Sequence, residues 1–75
     1  GGKNLRKGMN VVILEDVVTT GGSSLKAIEA VEKEGYKVKG VIALLDRLDG
    51  GQEAIVSNGY IFKSIFTLKD VRAST

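Results

Sequence analysis

Three groups of residues carry the polar chemistry of this chain. Glu15 and Asp16 are adjacent carboxylates inside an otherwise apolar stretch, and Val17 and Val18 separate them from Thr19-Thr20-Gly21-Gly22-Ser23-Ser24. Asp46-Arg47 closes a second apolar stretch, just before Leu48-Asp49-Gly50-Gly51. Paired glycines allow positive φ and a close approach of backbone to ligand. A helix starting behind them would point free N–H groups and its positive dipole end at the same place. Thr19, Thr20, Ser23 and Ser24 add hydroxyl donors, which makes a chemically complete site for one phosphate. Two carboxylates would repel a polyphosphate, but beside a sugar they accept hydrogen bonds from its hydroxyls. Pair and turn together suit a ribose carrying a 5′-phosphate. The same residues also have a purely structural reading: a glycine turn into a capped helix, behind a solvated strand end.

Other chemistries drop out. The turn is not a Walker loop, because no lysine follows Gly22, and it lacks the three spaced glycines of a dinucleotide fingerprint. The chain has no histidine and no cysteine, so imidazole and thiolate catalysis, thiolate metal sites and disulfides are excluded. Eleven basic and 9 acidic residues leave a net charge of +2, too little to point to nucleic acid or a membrane surface as partner. No apolar run approaches the roughly 20 residues of a membrane span. Residues 1–10 show no leader pattern, and a cytoplasmic protein is expected. At 43% hydrophobic residues the 75-residue chain is globular rather than disordered, yet it is at most one small domain.

The elements that must position these groups follow from periodicity. After a polar lead-in over residues 1–10, with a turn at Lys7–Asn10, Val11–Leu14 with Val17 and Val18 reads as a strand buried on both faces. Leu25, Ile28 and Val31, with Ala27 and Ala30, make an amphipathic helix. Ser23 or Ser24 can cap it, Gly35 can close it, and Glu29 and Lys33 stand in the favourable order. Val38–Leu45 is a second strand. Gln52–Asn58 is a short helix with Ala54 and Ile55 inward, stopped by Gly59. Tyr60–Phe66 alternates, placing Tyr60, Phe62, Ser64 and Phe66 on one side and Ile61, Lys63 and Ile65 on the other, a strand nearer an edge. Thr67 can cap a last turn through Asp70.

The order β-α-β-α-β predicts an α/β fold with a parallel sheet and right-handed crossovers, which put both helices on one face. The opposite face is then apolar and uncovered. Either a second copy covers it or the chain is part of something larger. The expectation is a single partial domain over 1–75 that self-associates through the open face.

The run Val12-Val-Ile-Leu-Glu-Asp-Val-Val-Thr-Thr-Gly-Gly-Ser23 resembles the 5-phosphoribosyl-1-pyrophosphate (PRPP) motif of type I phosphoribosyltransferases. Leu44-Leu-Asp-Arg-Leu-Asp-Gly-Gly51 resembles a segment of the orotate-specific members, and Lys7 to Val71 resembles their C-terminal part. The resemblance implies a partial doubly wound core over 11–75. It implies that Glu15 and Asp16 hold the ribose hydroxyls and stabilise the transition state. Val17, Val18, Thr19, Thr20, Gly21, Gly22 and Ser23 would line the PRPP site. Thr19 and Arg47 would face orotate, although Arg47 also reads as half of an Asp46–Arg47 surface pair. It implies Mg²⁺ carried by PRPP without a protein cage, and conversion of orotate and PRPP to orotidine 5′-phosphate and pyrophosphate. The family's pyrophosphate turn and basic mobile loop are missing, so the chain alone is expected to bind phosphorylated ribose weakly and not to turn over. The alternatives are a non-catalytic nucleotide-phosphate or assembly module and a purine-specific relative. A receiver-type signalling domain shares the acidic pair but not the Gly-Gly-Ser-Ser turn.

Overall fold

The computed structural model describes residues 8–73, with side chains to Val71. The basic residues Lys3, Arg6 and Lys7 of the lead-in lie outside the described residues. Three strands and three helices alternate: β1 (Asn10–Val18), α1 (Gly22–Lys33), β2 (Lys37–Asp46), α2 (Gly51–Ser57), β3 (Ile61–Thr67) and α3 (Leu68–Ala73). The sheet has the order β1-β2-β3 and both pairings are parallel. The expected α/β class, element order and parallel sheet are therefore present.

Both long helices cover one face. Ile28 of α1 and Ile55 of α2 are buried against Val38, Val41 and Ala43 of the central strand, with Val18 completing the core. Val11, Ile13 and Phe62 flank it, half-buried. The other face carries Val12 and Leu14 of β1, Ile42 and Leu44 of β2, and Ile61 and Ile65 of β3, all exposed. Apolar side chains on both faces of β1 and β2 are the mark of a doubly covered sheet, and among the described residues only one face is covered. Asp16 and Lys63 share this open face by strand alternation.

Glycines punctuate the chain at left-handed positions. Gly35 closes α1 at φ 98°. Gly59 closes α2 at φ 92°, and its N–H donates to Val56 O while Tyr60 N–H donates to Ile55 O, a Schellman pair. The expected Glu29–Lys33 pair forms at 3.5 Å, but both side chains are about 70% exposed and it contributes little. The last turn extends into α3. Thr67 N–H and Oγ1 donate to Asp70 Oδ2, and Asp70 N–H donates back to Thr67 Oγ1 at 3.3 Å, a capping box. These bonds hold the Asp70 carboxyl below its ordinary value, the Thr67 N–H being the largest cause. Lys39 is skipped in the β1–β2 register, where Val11 pairs with Val38 and Val12 with Gly40. That bulge restores the inward face for Val41 and Ala43 beyond it.

Candidate functional site

The candidate site sits at the carboxyl ends of the strands, where ligands bind open parallel sheets. β1 ends at Val18, and Thr19 and Thr20 lead into Gly21, the N-cap of α1, at φ 89°. The first intrahelical bond runs from Leu25 N–H to Gly21 O at 2.9 Å, so the N–H groups of Gly22, Ser23 and Ser24 precede the helical ladder. Thr19, Thr20, Gly22 and Ser23 are exposed.

The expected serine cap does not form. Gly21 caps the helix without any side-chain hydrogen bond. Gly21 has no side chain to offer the first turn, and the helix starts three residues earlier than a Ser24 cap requires. Nor is Ser24 a spare donor for a phosphate. It is 1% exposed, and its Oγ donates to Glu15 Oε2 at 2.7 Å. Strand alternation explains the meeting: Glu15 shares the helix-covered face with Val11 and Ile13, while Asp16 turns to the open face and is exposed. The two acids thus stand on opposite faces of one strand end, with only Glu15 tied to the helix.

Val17 is exposed at 46%, but Val18 is a core residue at 2%. The Val18 side chain is withdrawn from any ligand, and its carbonyl accepts Arg47 N–H at 2.9 Å. That bond ties the end of β2 to the end of β1 and brings Arg47 beside the Thr19–Ser23 turn. The Arg47 side chain lies over Asp49, Nε to Oδ2 at 3.9 Å, with both side chains about half exposed. The alternative reading of Arg47 as half of an Asp46–Arg47 surface pair does not hold. Asp46 is 1% exposed and its Oδ1 accepts Leu48 N–H at 2.9 Å, which stabilises Leu48 at a left-handed φ of 63°. Asp46 shapes the second turn, and its sequence signal was an acid ending an apolar run ahead of Arg-Leu-Asp-Gly-Gly. Arg47 also borders an open hollow of about 430 Å³ shared with Leu48, Asp49, Leu68 and Lys69.

α2 opens as α1 does, on a left-handed glycine. Gly50 at φ 97° is its N-cap and Gly51 its first residue, so the helix spans Gly51–Ser57 rather than Gln52–Asn58. Gly51 packs under the first turn. A Cβ on Gly51 would fall on Val18 Cγ1 and 2.8 Å from Thr19 O. The two glycine pairs, far apart in sequence, form one bed of backbone.

The family profile described as phosphoribosyl transferase domain matches residues 2–69. The orotate phosphoribosyltransferase of Sorangium cellulosum is 54% identical over 70 residues, which cover 93% of this chain and 36% of that protein. The crystal structure of orotate phosphoribosyltransferase from Aeropyrum pernix superposes with a TM-score of 0.86 at 37% identity, covering 95% of this chain and 42% of that one. The Mycobacterium tuberculosis enzyme in complex with PRPP superposes with a TM-score of 0.79 at 40% identity, covering 83% of this chain and 37% of that one. The chain therefore spans about a third of the length of the curated relatives it matches.

Proposed function

The chain belongs to the phosphoribosyl transferase domain family, and on that premise we propose that it carries the ribose 5-phosphate half of an orotate phosphoribosyltransferase site. The observation that supports this reading best is the Thr19–Ser23 turn: exposed hydroxyls and free N–H groups opening α1, with the Glu15 carboxylate fixed alongside. The N–H groups of Gly22 and Ser23 and the hydroxyls of Thr19, Thr20 and Ser23 hold the 5′-phosphate. Gly21 contributes through its left-handed backbone, and Val17 and Val18 through the strand end that carries the turn. Glu15 and Asp16 accept hydrogen bonds from the ribose hydroxyls. In the family reaction a pyrimidine nitrogen displaces pyrophosphate from ribose C1. Positive charge develops on the sugar, and preorganised carboxylates stabilise it while the phosphate clamp fixes its position. Arg47, with Thr19, faces the base and pairs with the orotate carboxylate in exchange for Asp49.

Mg²⁺ enters this reading with the pyrophosphate of PRPP. Among the described residues no group of three or more Asp and Glu side chains is arranged to hold an ion. No helix among the described residues is long and apolar enough to cross a membrane.

Titration with ribose 5-phosphate and orotidine 5′-phosphate, followed through the amide signals of Gly21 and Gly22, tests the reading. Both ligands shift those signals, and orotidine 5′-phosphate binds more tightly until Arg47→Ala removes the difference. Equal affinities in the wild type would favour a phosphate module or a purine-specific relative instead.

Self-association through the open face completes the proposal. A two-fold axis parallel to the strands sets β1 of one copy over β3 of the other, so that Leu14 and Ile42 meet the apolar residues of the partner's open face.

A further inference from the structure

We propose that Ser24 is a positioning residue for Glu15, and through it sets the preference for ribose over bare phosphate. The inference rests on the ribose 5-phosphate reading above. Glu15 and Ser24 are nine residues apart, one on the helix-covered face of β1 and the other in the first turn of α1. Among the described residues, the 2.7 Å bond from Ser24 Oγ to Glu15 Oε2 is the only hydrogen bond of either side chain. Ser24 is almost fully enclosed, so its hydroxyl has one place to go, and a glutamate with three rotatable bonds is held in one arrangement. No buried polar side-chain atom among the described residues lacks a partner, so the second Glu15 oxygen reaches solvent. One oxygen is anchored to the helix that opens on the phosphate turn, and the other is free for a sugar hydroxyl. A carboxylate pre-set in this way loses less freedom when a sugar arrives.

The test measures dissociation constants for ribose 5-phosphate and for inorganic phosphate in the wild-type chain, Glu15→Gln, Ser24→Ala and Ser24→Thr. Loss of a hydrogen bond to a charged group corresponds to roughly tenfold in affinity. Ribose 5-phosphate should weaken about tenfold in Ser24→Ala, matching Glu15→Gln, with inorganic phosphate unchanged and Ser24→Thr restoring the preference through its hydroxyl. If Ser24→Ala leaves the preference intact while Glu15→Gln abolishes it, the positioning role is wrong and the ribose reading stands. If both ligands weaken equally in Ser24→Ala, the residue is merely structural. If Glu15→Gln changes nothing, the ribose reading itself fails and takes this one with it. Should Ser24→Ala lose its native amide spectrum, Ser24→Cys preserves the volume, lacks the strong donor, and is read in the same way.

Discussion

Gly21 and Gly51 meet backbone to backbone. A Cβ on Gly21 would stand 3.2 Å from both Cα and O of Gly51 and 3.4 Å from the Ala54 Cβ. The two helix starts are therefore one packed unit, and the phosphate turn rests on the glycine turn after β2. Gly51→Ala should cost about 1–3 kcal/mol, because its methyl group meets Val18 and the Thr19 carbonyl in a full space. Gly50→Ala meets nothing within 4 Å and costs only its left-handed strain, about 1 kcal/mol. Denaturant midpoints of the two variants check the order; equal losses would mean that packing under the turn is unimportant.

Arrival of acid should release α3 first. Thr67 holds the Asp70 carboxyl below its ordinary value, so the capping box contributes above that ordinary range and is lost as pH falls through the lowered value. Amide signals of residues 68–71 should move toward coil values at low pH before the sheet unfolds. Thr67→Val should produce the same change already at neutral pH.

A second titration marks the join between α1 and the start of β3. Tyr60 Oη donates to Glu32 Oε1 at 2.9 Å, and that bond raises the phenol above its usual value of 10.0. Its contribution is complete below pH 10 and disappears as pH rises through the raised value. In a Tyr36→Phe background, tyrosinate absorbance should appear later than in an ordinary phenol, and Glu32→Gln should move it back. An unchanged curve would show that the bond does not persist in solution.

Association should follow the open sheet face. Leu14 is 75% exposed and Ile42 lies beside it on the central strand. Sedimentation at tens of micromolar should show dimers, and Leu14→Lys or Ile42→Lys should give monomers. A wild-type chain that stays monomeric would refute this arrangement.

Turnover is a separate matter. Incubated with PRPP, Mg²⁺ and orotate, the isolated chain should release no pyrophosphate, because its relatives extend about three times further. Steady product formation would require a complete site within 75 residues.

Much of this molecule is local in origin. The strand and helix order follows from two continuous apolar runs and one alternating one, separated by a stretch with an apolar period of three to four and a short helix closed by glycine. Gly35 and Gly59 end their helices for the same short-range reason, and Thr67 finds Asp70 within a single turn. The acidic pair, the glycine turn and Arg47 stand out as a candidate site on composition and spacing. What the chain alone leaves open is which side chains meet across it. Ser24 reads from the sequence as a cap or a phosphate donor, and the face on which α1 packs made it the partner of Glu15 instead. Glu15 looks toward that helix and Asp16 away from it, so neighbours in sequence acquire different surroundings. Asp46 was drawn beneath its own turn instead of pairing with Arg47, and Tyr60 reached a glutamate 28 residues away. Those contacts depend on register and crossover, which are set by the whole sheet folding as a unit.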